Sequence, residues 1–301
     1  MTGGLAIEDL REYCSPDAVW EDRMITIAEG VTLRVVTFTP QRNAGNPTVV
    51  FVAGWITQMS AWKTVLKEMT RDFRVVYAET REKVSSQMQG AAEYSVEAIG
   101  KDLVRLIGGS DLVPGPYVMF GSSLGATAIV DCYASLERKP LALVLVGPNA
   151  VFRVPKVWSI VVALFYPPLY ALIKPTVKWY LKKFRLDVKT DQAQYDKYCR
   201  ALDAADPWKL KRAVLSVSKY EIWDRLSLVT CPTLLLEASK DVLHEPENLR
   251  KIASGIPHAV PVDLETNKGT HSERVVQEMR AFLAVRASKS GARSLQANHG
   301  Q

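Results

Sequence analysis

The sequence predicts an α/β fold, a mostly parallel sheet flanked by helices with a helical insertion after its middle strands. Three observations carry this. Five short runs, at 47–54, 73–79, 116–121, 141–147 and 232–238, are apolar without alternation ("PTVVFVAG" is the first), as expected of strands buried on both faces. Stretches with apolar residues three to four apart, at 60–71, 95–107, 126–138 and 271–285, read as helices, and most of them separate these runs. The alternation stops after Gly147-Pro148 and resumes at Pro232.

In chain order, "MITIAEGVTLRVVTF" (24–38) breaks at Glu29-Gly30 and reads as a β-hairpin leading into the first buried strand. Strands and helices then alternate to 147, which implies right-handed crossovers. Residues 148–224, rich in lysine, tyrosine, tryptophan and proline, read as helices covering the carboxyl edge of the sheet. The strand at 232–238, a last strand "AVPVDLE" (259–265) and the helix at 271–285 complete the core. The expected division is a core of 1–150 and 226–286, an insertion of 151–225, and a disordered tail of 287–301, small and polar without periodicity.

With 48% hydrophobic residues over 301 positions, the chain can bury one large core. Cys14, Cys132, Cys199 and Cys231 are scattered, with no C-x-x-C and no histidine at zinc-ligand spacing, so neither a metal site nor a disulfide framework is expected. Free thiols and an acidic N-terminal segment where a signal peptide needs a basic one point to the cytoplasm. The net charge of +6 is unevenly placed: nine lysines and arginines, and no acid, lie between Glu137 and Asp187. Such a segment suits an anionic membrane surface or anionic substrate, or is simply a solvated helix face. Nucleic acid is not an expected partner, because the residues between these charges are mostly apolar.

The segment "MFGSSLGAT" (119–127) places Gly121, Ser123 and Gly125 in the pattern G-x-S-x-G, between a buried strand and a helix. In that setting the serine sits on a sharp turn with its hydroxyl exposed beside a helix N-terminus, and the glycines leave room for the turn. A serine hydroxyl is a poor nucleophile near neutral pH, so acyl transfer needs a base, a carboxylate to orient it, and donors for the developing oxyanion. Of four histidines, His271 is the candidate base, since it follows the last strand. His244 and His258 lie in polar connections, and His299 in the tail. Asp241, in the turn after 232–238, is the candidate acid, with Glu237 and Glu245 as weaker alternatives. The loop after 141–147 offers no carboxylate. Backbone N–H groups of Leu124 and Trp55 are the candidate oxyanion donors, and Ser122 should point elsewhere.

Taken together, residues 24–286 resemble the α/β-hydrolase superfamily, the serine-nucleophile branch with a helical cap between its sixth and seventh strands. The resemblance implies Ser123 as nucleophile, Asp241 as acid, His271 as base, Trp55 and Leu124 as oxyanion donors, and no cofactor. Two departures stand out: the frequent His-Gly after the third strand is Ala53-Gly54, and the glycine-rich turn after the fourth reads "AETREKVSS".

The expected substrate is a small carboxylic ester or thioester with an apolar acyl part. Carbon-carbon cleavage or acyl transfer with the same triad, and a ligand-binding fold without turnover, are the alternatives. Serine at position 123 disfavours the aspartate-nucleophile dehalogenases and epoxide hydrolases, and no dinucleotide fingerprint accompanies the glycines. The run at 157–173 is interrupted by Pro167-Pro168 and too short to span a bilayer. It is expected to line an apolar acyl pocket, or else to form an interfacial patch with the basic "KPTVKWYLKKFR" (174–185).

Overall fold

The computed structural model describes residues 9–42, 45–90, 92–109, 111–152, 156–186, 188, 191–218, 220–241 and 246–298. A hairpin of β1 (Val19–Ala28) and β2 (Val31–Thr39) leads into β3 (Thr48–Val52), α1 (Lys63–Met69) and β4 (Val75–Ala78). The two-residue β5 (Gln87–Met88) pairs with β2, and α2 (Val96–Gly108) follows. Next come β6 (Tyr117–Ser122), α3 (Leu124–Cys132) and β7 (Ala142–Val146). Four helices, α4 (Lys156–Leu164), α5 (Tyr170–Tyr180), α6 (Gln192–Ala204) and α7 (Pro207–Val217), separate β7 from β8 (Thr233–Glu237). The chain closes with α8 (Pro246–Gly255), β9 (Ala259–Asp263) and α9 (Arg274–Asn298).

The sheet runs β1-β2-β4-β3-β6-β7-β8-β9, with neighbours parallel from β4 onward. Each strand expected from an unbroken apolar run is present. In β3, Val50 and Val52 pack on the side of α2, α3 and α8, while Val49 and Phe51 pack on the side of α1 and α9. A strand with both faces covered has no polar side to alternate with. The order reverses at β3: β4 lies on one side of it and β6 on the other. Connections leave in opposite directions there and open a crevice at the carboxyl ends of β3 and β6, where ligands of such sheets bind.

Polar contacts fix the helices around this core. Arg280 of α9 donates to Asp72 Oδ2 at 2.9 Å and to Glu68 Oε1 of α1 at 2.6 Å, joining the two helices of one layer. Ser95 caps α2 by accepting from Ala98 N at 3.2 Å. Asp206 caps α7 by accepting from Trp208 N and Lys209 N, and Pro207 opens that helix where its missing N–H costs nothing. The α4–α7 insertion is pinched at its neck by an antiparallel bridge of Val151 with Glu221 and by Ile222 N donating to Ala150 O at 3.0 Å.

Two expectations need correction. Helix α9 continues to Asn298, through the segment expected to be a disordered tail. From 286 to 298 the chain has no proline and only Gly291 against its alanines and long straight side chains, and extending a nucleated helix costs little. The run expected to line an apolar pocket has its large side chains outside instead: Ile160, Leu164, Tyr166 and Leu172 are 60%, 81%, 59% and 75% exposed. No helix among the described residues is long and apolar enough to cross a membrane.

Candidate functional site

Three loops at the carboxyl ends of β3, β6 and β9 carry the described non-glycine residues with positive φ: Ile56 at 47°, Ser123 at 48° and Glu265 at 65°. For a β-branched residue such as Ile56 this is an outlier, and strain of this kind persists only where surrounding contacts enforce it. Of these, Ser123 is the candidate nucleophile itself and Ile56 directly follows the candidate oxyanion donor Trp55.

At the centre, β6 ends at Ser122 and α3 begins at Leu124, so Ser123 alone turns the chain, with ψ of −117°. The flanking glycines are required by contact. A Cβ on Gly125 would lie 2.3 Å from Val52 O, and one on Gly121 would lie 2.7 Å from Ala126 Cα. The turn is tied down by Ser123 N donating to Val146 O at 2.9 Å and by the buried Thr127 hydroxyl donating to Ser123 O at 3.1 Å. Ser122 stays in the strand, paired with Val146 and buried.

Ser123 Oγ accepts a hydrogen bond from Asn149 Nδ2 at 2.9 Å. Asn149 lies just past β7 and is held in place by its backbone, which donates to Thr127 Oγ1 at 3.2 Å. Among the described residues this is the side-chain partner of the Ser123 hydroxyl, and His271 does not bond to it.

His271 ends a short 3₁₀ turn, Gly269–His271, after β9. Its ring stacks on Trp62 at 4.3 Å between centroids, and Trp62 in turn packs edge-on against Phe51 and Phe120 at 5.2 and 5.7 Å. The imidazole therefore rests on the core beneath the end of β6. Nδ1 lies 2.9 Å from the Asn267 carbonyl oxygen, a geometry in which Nδ1–H donates and Nε2 keeps the basic lone pair. Asn267 Nδ2 donates to Asp241 Oδ2 at 3.1 Å, so Asn267 touches both the candidate base and the candidate acid.

Asp241, past the end of β8, is buried. Glu237 remains within β8 beside Asp263; burial and then Asp263 raise its carboxyl above the ordinary value, against Arg250. His258 O accepts from Thr233 N, which puts His258 at the amino end of β8, the wrong edge for Ser123. His244, Glu245 and His299 lie outside the described residues.

Lys197 of α6 enters the same cluster. Its half-buried ammonium donates to Asn267 Oδ1 at 2.8 Å and lies 3.4 Å from His271 Nε2. Burial pulls its pKa down to about 8, with Asp241 and Asp191 opposing and Arg200 assisting.

On the far side of Ser123, Gly54 approaches so closely that a Cβ there would lie 3.2 Å from Ser123 Cβ. The buried Lys83 donates to the Gly54 carbonyl and pairs with Glu82 at 3.4 Å. Lys83 belongs to the departure noted at 79–86, where Glu79, Thr80, Arg81, Glu82, Lys83 and Ser86 are all buried. Arg81 anchors that segment through Asp102, donating at 2.7 and 2.5 Å. A groove of about 820 Å³ runs beside this loop, lined by Ile56, Met59, Glu82, Lys83 and Val84 and by Ala201 and Ala204 of α6. Among the described residues, neither Trp55 N–H nor Leu124 N–H donates a hydrogen bond.

The backbone is similar to solved structures of a hydrolase from Pseudomonas aeruginosa PA01 (TM-score 0.71, 17% identity, covering 89% of this chain and 98% of that one). It is similar also to a thermophilic esterase from Thermogutta terrifontis (TM-score 0.69, 19% identity, 89% and 99%) and an α/β hydrolase from Sphaerobacter thermophilus DSM 20745 (TM-score 0.67, 18% identity, 87% and 100%). The chain has the α/β-hydrolase fold. No protein-family model and no curated protein matches the sequence. Within the α/β-hydrolase fold, Ser123 occupies the strand-turn-helix position and the α4–α7 insertion follows the next strand, β7.

Sequence reasoning missed four residues at this site: Asn149, Lys83, Lys197 and Asn267. Asn149 carried a readable signal, because a polar residue just past the strand beside the nucleophile strand faces the same crevice. Lys197 carried none, since the side of a helix that meets the sheet is set by tertiary contacts.

Proposed function

We propose that the protein is a serine hydrolase cleaving a carboxylic ester or thioester with an apolar acyl part. The observation that carries this reading is Ser123, strained at positive φ over the switch point of the sheet, with neighbouring backbone N–H groups of Leu124 and Trp55 unspent.

Ser123 Oγ attacks the acyl carbon while His271 Nε2 takes its proton, and the carbonyl electrons move to an oxyanion that Leu124 and Trp55 N–H receive. Collapse expels the alkoxide or thiolate, which leaves with the proton from Nε2. Water then gives a proton to Nε2 and attacks the acyl-enzyme, and collapse releases the carboxylic acid and Ser123 Oγ, which takes that proton back from Nε2. Asp241 acts on the base through the Asn267 loop, whose carbonyl holds Nδ1–H and so fixes the tautomer. Asn149 donates to the nucleophile oxygen and helps carry its developing charge. The groove beside Ile56 and Met59 is the proposed seat of the acyl chain. Four free cysteines suit a reducing compartment, the cytoplasm.

One observation favours a second reading, a hydrolase fold that holds its ligand without turning it over: Ser123 Oγ is engaged by Asn149 rather than His271. A panel of esters and thioesters of rising acyl length separates the two. Turnover that increases with chain length supports the hydrolase, and binding of the same compounds without product supports the alternative. Carbon-carbon cleavage and acyl transfer to another acceptor use the same residues and are read from the products.

A further inference from the structure

Helix α5 is mounted with its apolar side outward. Leu172, Ile173, Trp179 and Tyr180 recur at helical spacing and are 75%, 40%, 55% and 46% exposed, and Phe184 in the next turn is 60% exposed. The opposite side holds the helix down. Tyr170 OH donates to Leu202 O at 2.9 Å, and Lys174 and Lys178 pair with Asp203 of α6 at 3.0 and 2.7 Å. A soluble helix ordinarily turns such a stripe toward the core, and an exposed patch this concentrated marks an interaction surface.

Charge selects the partner. No aspartate or glutamate occurs between Glu137 and Asp187, and the exposed Lys182 and Lys183, at the end of the stripe, make no ion pair among the described residues. Two copies of the face meeting about a twofold axis would offer these lysines no carboxylate from the segment to pair with. A bilayer surface with anionic headgroups accepts both components, since tryptophan, tyrosine and lysine partition to the headgroup level while leucine and phenylalanine enter the acyl boundary. We propose that the outward face of α5 docks the protein peripherally on an anionic lipid surface. The proposal is independent of the hydrolase reading and requires no turnover to test.

The test is cosedimentation with phosphatidylcholine vesicles, with and without phosphatidylglycerol, at low and high salt, beside light scattering of the protein alone. Variants are Leu172→Ser/Trp179→Ser/Phe184→Ser and Lys182→Gln/Lys183→Gln, each checked by thermal melting. The parent should pellet with the anionic vesicles and release at high salt. The lysine variant should bind about 30-fold more weakly at low salt, from about 1 kcal/mol per lysine, and the apolar variant should not pellet. A parent that stays in the supernatant, or an apolar variant that binds as the parent does, overturns the proposal. A parent dimer that the apolar variant converts to monomer assigns the face to a second copy instead. If the apolar variant fails to fold, the lysine variant and the parent's salt response still decide.

Discussion

Lys83 Nζ donates to the carbonyl oxygen of Gly54, and that carbonyl belongs to the same peptide unit as the N–H of Trp55. A planar peptide held at its oxygen is held at its hydrogen too. A cation on the oxygen also polarises the unit, which makes the N–H a stronger donor. The position that often carries histidine in this fold is Ala53, so the loop lacks that support, and a lysine from the segment after β4 holds it instead.

Lys83 is therefore a positioning residue for the proposed oxyanion hole. Lys83→Met should lower kcat tenfold or more with little change in KM, less than the ~10²–10³ lost when a direct donor is removed. Lys83→Arg should restore part of the rate. Steady-state kinetics of the two variants checks this, and a loss confined to KM would contradict it.

Asn149→Ala removes the amide that bonds Ser123 Oγ. The rate should fall about tenfold, the size expected from about 1–2 kcal/mol for one hydrogen bond to a developing charge. Burst kinetics should locate the loss in the acylation step. An Asn149→Ala variant with an unchanged acylation rate would make that hydrogen bond structural only.

Lys197 sets a pH dependence. Below about pH 8 its ammonium stands 3.4 Å from His271 Nε2 and opposes the imidazolium that forms when Ser123 gives up its proton. Above about 8 the charge is lost and the opposition with it. The profile of kcat/KM should show a rise centred near pH 8, on the order of tenfold. Lys197→Met should lose that rise and be faster than the parent at neutral pH. The folding sign is separate: the unfolded lysine keeps its proton to higher pH, so this group makes stability increase as pH rises from about 8 toward the ordinary lysine value.

Asp241→Asn should lower kcat, by less than the ~10⁴ seen when the acid of a serine protease triad is changed in this way, since the Asn267 carbonyl still holds the His271 tautomer. Glu237→Gln should be near the parent, because that carboxyl stands beside Asp263 and Arg250. A larger loss from Glu237 than from Asp241 would transfer the acid assignment.

The legible parts of the fold were those decided by local pattern. Strands covered on both faces announced themselves as unbroken apolar runs, and Gly121-Ser122-Ser123-Leu124-Gly125 encoded a turn that only glycine can flank. Long-range polar contacts were not legible. The direction in which α5 faces follows from Lys174 and Lys178 meeting Asp203, more than twenty positions away, and an apolar stripe alone reads as inward. Likewise, nothing local in the charges at 79–83 tells that Asp102 and Gly54 receive Arg81 and Lys83. Where the sequence departed most from its resemblance, the departing segment had its own partners.

The central claim is that Ser123 is a nucleophile activated by His271. Labelling with a fluorophosphonate, followed by mass spectrometry of the modified peptide, tests it most directly. The account predicts one adduct, on Ser123, that is lost in Ser123→Ala and strongly slowed in His271→Ala, while Ser122→Ala labels as the parent does. Absence of any adduct in a folded parent, or an adduct that survives Ser123→Ala at the parent's melting temperature, would contradict it.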